Sequence, residues 1–139
     1  MPTPRVRVES IYGPARREAY KQLRAFNVQA TARKIDHRPL AVTAREGKEI
    51  VGSLVGATFW DWLSIELLWV ADRKRGQGLG KSLMKAAESE ARKRGAKHAY
   101  LNTFSFQAPG FYRKLGYRQF GKLENFPAGH EHYWLMKAL

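Results

Sequence analysis

The period of hydrophobic and polar positions changes several times along this chain, and each change predicts an element. Arg5 to Glu9 alternates as an opening strand does, and Pro14 then stands where a helix can begin. The predicted helix runs to about Ala32, with Ala19, Leu23, Phe26 and Ala30 on one side and Arg16, Arg17, Lys21 and Arg24 on the other. Two strand-like runs follow, Leu40 to Arg45 and Ile50 to Phe59, with Glu46-Gly47-Lys48 between them as a hairpin turn. Leu63 to Val70, bounded by Asp61 and by Asp72-Arg73, has the apolar character of a central strand.

From Gly78 to Arg94 the period lengthens again. Leu79, Leu83, Ala86, Ala87 and Ala91 mark one helix face, Lys81, Lys85, Glu88, Arg92 and Lys93 belong to the solvated one, and Gly95 is placed as a C-terminal cap. His98 to Phe104 reads as a strand and Pro109 to Leu115 as a short helix closed by Gly116. Tyr117 to Leu123 and His132 to Lys137 complete the chain as two late strands. The order is strand, helix, three strands, helix, strand, helix, strand, strand. That is a mixed α/β (α+β) domain built on one central twisted sheet of six to seven strands flanked by helices.

A chain of 139 residues fits one domain, 1–139, with a core that needs no metal or disulfide. The absence of cysteine excludes thiolate chemistry and a disulfide framework, and suits a reducing cytoplasm. The N-terminal MPTPRVRVES lacks the apolar core of a signal peptide and no segment approaches transmembrane length, so the chain reads as soluble and cytoplasmic, without a membrane partner. Lys and Arg number 25 against 12 acidic residues, a net charge of +13. Such charge attracts polyanions, but it is spread from Arg5 to Lys137 rather than gathered on one face, which disfavours nucleic acid as the main partner.

The densest chemical signal is Arg75-Gly76-Gln77-Gly78-Leu79-Gly80-Lys81-Ser82. Glycines let a backbone turn tightly and approach a ligand, and the helix that opens here offers unpaired NH groups to an anion. A P-loop ending at Gly80-Lys81-Ser82 would need glycine where Arg75 stands, and the G-x-G-x-x-G fingerprint does not fit the spacing from Gly76 or Gly78. What survives is R-x-x-G-x-G. A second signature follows the next strand: Ala108, Phe111-Tyr112 and Leu115-Gly116-Tyr117.

Together these segments resemble the GNAT superfamily of N-acetyltransferases, whose A-x-x-h-Y-x-x-x-G-F/Y pattern stands after the strand that follows the glycine loop. The resemblance covers nearly the whole chain and implies acetyl-CoA as acetyl donor and an amine as acceptor, with no metal. It implies that the backbone NH groups from Gly76 through Gln77, Gly78, Leu79 and Gly80 to Lys81 hold the donor's pyrophosphate, with Ser82 offering a hydroxyl and Arg75 or Lys81 a charge. It implies that Leu68, Trp69 and Val70 pair with the pantetheine arm as an added strand would, and that the NH of Val70 faces the oxyanion. Many members carry Asn seven residues before the tyrosine; here Ser105 stands there, and Gln107 is the alternative.

Tyr112 falls where the family has a tyrosine beside the departing sulfur, which makes it the candidate general acid. With Tyr near pKa ~10 and a thiol near ~8.5, hydrogen bonding to the developing thiolate is as plausible as full protonation. An amine of pKa ~10.4 is only about one part in a thousand neutral at pH 7, so a base is required. Glu66 is the candidate, because a two-residue period puts it on one strand face with Leu68 and Val70. The alternatives for Glu66 are an ion pair with one of the arginines or a solvent-facing position, and a water chain can replace a single base.

His130 and His132 form an H-x-H pair without a third ligand at suitable spacing, so they are expected at the acceptor pocket or in a surface loop rather than on a metal. Trp60, Asp61 and Trp62 either wall the acceptor or cap the core. With no cysteine to carry an acyl group, the expected reaction is direct attack in a ternary complex. Two other classes remain: a non-catalytic CoA-binding regulatory module and a basic nucleic-acid-binding domain. The excess of positive charge disfavours polycationic acceptors, and a homodimer is a candidate assembly.

Overall fold

The computed structural model describes residues 2–139 and divides into two compact units, one ending at Ile35 and one running from Asp36 to Leu139. In the first unit the strand expected over Arg5–Glu9 is absent, and residues 2–9 carry no regular structure. Alternation makes a strand only where a neighbour completes the ladder of NH and CO groups. Here Val6 and Val8 are fully exposed, and Arg7 pairs with nearby Glu9 at 3.0 Å. Helix α1 spans Gly13–Thr31 with a proline in its first turn, and it ends at Ala32, whose left-handed backbone (φ 55°) donates its NH to the Val28 carbonyl. Its predicted apolar side, Leu23 and Phe26 included, is exposed.

The second unit is one six-stranded sheet. Strands β1 (Arg38–Glu46), β2 (Glu49–Phe59), β3 (Trp62–Val70), β4 (His98–Phe104), β5 (Arg118–Glu124) and β6 (Glu131–Ala138) lie in the order β1-β2-β3-β4-β6-β5. All neighbours are antiparallel except β3 and β4. A parallel pair requires a crossover, and helix α2 (Leu79–Lys93) lies in that connection. Helix α3 (Pro109–Lys114) joins β4 to β5. The β1–β2 hairpin turns at Gly47, whose φ of 61° suits glycine. Trp60 and Asp61 make the β2–β3 turn, both at positive φ.

The core forms between α2 and the sheet. Leu83, Met84, Ala87 and Ala91 cluster with Leu54, Leu63, Ile65, Ala99, Leu101 and Leu135 from four strands. Two positions of α2 depart from the expected faces: Ala86 is exposed and Glu88 is buried. Glu88 is only 4% exposed, yet its oxygens accept hydrogen bonds from the Tyr117 hydroxyl at 2.7 Å and from Lys137 Nζ at 2.9 Å. A buried carboxylate is tolerated when it is paired and hydrogen-bonded in this way. Burial, then the bond to Glu88, pushes the Tyr117 hydroxyl far above its ordinary pKa.

Candidate active site

Strands β3 and β4 pair only from Trp62 opposite His98 to Ile65 opposite Leu101. Beyond that point β3 stays with β2 as far as Val70, while Asn102, Thr103 and Phe104 of β4 pair with Trp134, Tyr133 and His132 of β6. The two facing edges therefore lack their ladder partners. A register shift in β2–β3 helps to open them: Val55 opposes Leu67 and Gly56 opposes Ile65, so Glu66 is an extra residue. Bulges bend the strand that carries them. Gly56 permits this one, since a Cβ on it would stand 2.1 Å from the Ser64 carbonyl oxygen.

The divergence opens a cleft of about 890 Å³ whose walls include β3 from Ile65 to Val70, the end of β4, the glycine loop and α3. The Ala71 NH donates to the Val51 carbonyl at 2.8 Å, on the β2 side. Backbone groups alternate along a strand, so those of Val70 and Leu68 face the cleft. The Val70 carbonyl accepts from Arg75 Nε at 3.3 Å, which ties the loop to the strand end.

Gly76 and Gly78 have φ of 76° and 81°. A Cβ on either would meet nothing within 4 Å, so conformation rather than space requires glycine there. Gly80 differs: its Cβ would come within 3.2 Å of the Phe111 ring, which packs the start of α2 close to α3. Gly78 caps α2 without a side-chain hydrogen bond, and the first intrahelical NH bond is that of Ser82 to Gly78. The NH groups of Leu79, Gly80 and Lys81 are thus without intrahelical partners at the cleft wall. Among the nearby cations, Arg75 pairs with Asp72 at 3.1 Å and Lys74 pairs with Glu46. Lys81 has no ion pair among the described residues.

The cleft brings together Glu66, Leu68, Trp69, Val70, Arg75, Gly76, Gly78, Leu79, Gly80, Lys81, Gln107 and Tyr112. Three other candidates lie outside its walls. Gln77 donates to the Arg73 carbonyl at 3.4 Å, and Ser82 is an exposed residue in the first turn of α2. The Ser105 hydroxyl accepts the Glu131 NH at 3.0 Å and its own NH returns to the Glu131 carbonyl at 2.8 Å. Ser105 is therefore a clasp between β4 and β6. Gln107 does line the cleft; its Oε1 accepts from Thr103 Oγ1 at 3.1 Å and from the Phe104 NH at 2.9 Å, which leaves its amide nitrogen free to donate.

The two-residue period expected to align Glu66 with Leu68 and Val70 is broken by the bulge. Leu68 and Val70 pack against the core, while Glu66 is exposed. Its carboxylate has no ion pair among the described residues, so the arginine partner considered from sequence is not present. The Tyr112 hydroxyl makes no hydrogen bond among the described residues, its ring stands edge-on to Phe111 with centroids 5.1 Å apart, and burial raises its pKa. Tyr112 is accordingly a better hydrogen-bond donor than proton donor.

Asn102 and Phe106 also line the cleft and were not singled out by motif. The available signal is the Asn102 amide next to apolar Leu101 within a strand. Its Oδ1 lies 2.9 Å from Nε2 of His132, which is buried, stacked on Phe104 and in tilted contact with Trp134. His130 stands edge-on to Phe106. Trp62 stacks on His98 at the opposite end of β3, so the Trp60–Trp62 turn does not wall this cleft.

The model of the acetyltransferase (GNAT) family matches residues 5–117. The chain belongs to the GNAT family. It is an acetyltransferase with the GNAT fold, an α/β arrangement whose mixed sheet has six strands rather than seven. Among curated relatives, a blasticidin-S acetyltransferase from Streptomyces morookaense is 41% identical over 110 residues, which is 76% of this chain and 81% of that one. A crystal structure of an acetyltransferase from Bacillus cereus superposes with a TM-score of 0.87 at 28% identity, covering 96% of this chain and 98% of the other. An aminoglycoside 6'-N-acetyltransferase complexed with coenzyme A shares the fold, with a TM-score of 0.66 at 22% identity over 72% of each chain. No helix among the described residues is long and apolar enough to cross a membrane.

Proposed function

We propose that residues 1–139 form one acetyltransferase domain that moves an acetyl group from acetyl-CoA to a primary amine by direct attack in a ternary complex. The observation that carries this reading is the unpaired edge of β3, whose Leu68 and Val70 backbone groups face a cleft ending at Gly76–Lys81. A pantetheine arm has amides that complete such an edge as a strand would, and its pyrophosphate suits the open NH groups of α2. A solved GNAT-fold neighbour carries coenzyme A, which supports the same donor here.

With the donor so placed, its arm runs from the loop along Val70 and Leu68, so the thioester carbonyl lies toward Glu66 and the Leu68 NH, rather than that of Val70 beside the loop, stabilises the oxyanion as the amine nitrogen attacks. Glu66, exposed at this end of the cleft and without an ion pair among the described residues, takes the ammonium proton. The tetrahedral intermediate collapses with cleavage of the carbon–sulfur bond. Tyr112 donates a hydrogen bond to the departing thiolate, which leaves as CoA thiol once protonated. The products are an acetamide, CoA and one proton. Gln107, through its free amide nitrogen, fills the place of the family's asparagine.

Two curated relatives are named for antibiotics, and an acceptor of that kind, a small amine-bearing natural product, is the first class to try. Calorimetry with acetyl-CoA followed by a thiol-release screen over blasticidin S, aminoglycosides, polyamines and peptide amines tests the reading. Saturable binding and CoA release with at least one small amine are the expected results. Absence of acetyl-CoA binding at millimolar donor would overturn the donor assignment, and binding without turnover on any amine would overturn the transferase one.

A further inference from the structure

A second cavity, of about 460 Å³, is walled by α2, α3 and β6. Lys81, Lys85, Glu88 and Arg92 recur along one stripe of α2 at three- and four-residue spacing, Lys114 comes from α3, and Lys137 comes from β6. Five cations thus surround one carboxylate, and that carboxylate is already engaged. Glu88 accepts from Tyr117 and Lys137 and has Arg92 at 4.0 Å. Lys81, Lys85 and Lys114 are exposed and make no ion pair or side-chain hydrogen bond among the described residues. The cavity is therefore polarised to take an anion of more than one charge.

Lys81 lines both this cavity and the active-site cleft. Lys85 lies about one helical turn, ~5.4 Å, farther along the same face. Positive charge therefore continues from the glycine loop away from the reacting end, where Glu66 stands. A CoA donor held at Gly76–Lys81 by its pyrophosphate has a further phosphate monoester on the adjoining ribose. A monoester with a second pKa near ~6 is mostly a dianion at neutral pH.

We propose that Lys81, Lys85 and Lys114 form a subsite for the 3'-phosphate of the donor. This rests on acetyl-CoA being the donor, and it makes the enzyme selective for CoA over its 3'-dephospho form. Lysines bind phosphate as flexible point charges, which suits a wide, solvent-open cavity better than a bidentate arginine clamp.

Calorimetric dissociation constants for acetyl-CoA and acetyl-3'-dephospho-CoA test the assignment, measured on wild type and on Lys85→Gln/Lys114→Gln. Wild type is expected to prefer acetyl-CoA by about tenfold at low salt, and added salt to shrink the preference. The double variant should lose most of it while binding the dephospho donor as wild type does; circular dichroism checks that it is folded. Equal wild-type affinity for the two donors, or an undiminished preference in the folded variant, refutes the subsite while leaving the donor reading intact. If neither donor binds wild type, both proposals fall together.

Discussion

Gly56→Ala connects the sequence to the shape of the active site most sharply. The added Cβ would lie 2.1 Å from the Ser64 carbonyl oxygen and 3.3 Å from the Ile65 Cα, both backbone atoms of β3. Backbone cannot rotate aside as a side chain does, so β2 or β3 must shift by about 1 Å or the bulge at Glu66 must rearrange, at a cost of about 1–3 kcal/mol. For a chain of this size that corresponds to a fall in Tm of roughly 3–10 °C. The same shift moves the point where β3 leaves β4, so donor affinity should fall as well. Gly52→Ala is the control: its Cβ would meet a Leu83 methyl at 3.1 Å, the far end of a side chain that can give way. Thermal melts and acetyl-CoA calorimetry on both variants separate the cases. A Gly56→Ala protein that melts with wild type refutes the steric argument, and one that melts lower but binds acetyl-CoA unchanged refutes the role of the bulge in shaping the cleft.

Tyr112→Phe should lower kcat by about ten- to a hundredfold, the worth of a hydrogen bond to a charged group, with little change in donor Kd; unchanged steady-state turnover would contradict its place beside the sulfur. Glu66→Gln should lower kcat/KM by about a hundredfold or more and flatten its rise with pH, as read in a pH–rate profile. Because the folded-state pKa of Tyr117 is raised above its unfolded value near ~10, its contribution to stability is full below that pH and is lost as pH rises above it. The melting temperature of wild type should consequently fall more steeply above about pH 10 than that of Tyr117→Phe, as a pH series of thermal melts would record.

Local pattern was sufficient where an element depends on its own residues. The apolar stripe of α2, the glycine loop and the strands flanking them were legible because helix period, turn chemistry and central burial all leave marks in neighbouring positions. The features that escaped depend on partners distant in the chain. Val6 and Val8 alternate correctly but have no strand beside them. Glu88 reads as a solvated helix charge, and only Tyr117 and Lys137, 29 and 49 positions away, account for its burial. The bulge at Glu66 is invisible to a two-residue period, which it breaks, and its one trace in sequence, Gly56 of β2, looks no different there from Gly52 of the same strand. Asn102 carries no motif, since the family pattern falls on Ser105, whereas packing ties Ser105 to β6 and brings Asn102 to the cleft.

In this cleft the acetyl group passes from donor to amine without a protein-bound intermediate under the proposed mechanism. Mass spectrometry of both protein and small molecule, after incubation with isotopically labelled acetyl-CoA and blasticidin S or another amine that elicits thiol release, tests it most directly. Direct transfer leaves one labelled acetyl group on the amine, none on the protein at any time, and one CoA released per amide formed. A labelled acetyl-protein that forms without the amine and is discharged by it would contradict the ternary-complex mechanism.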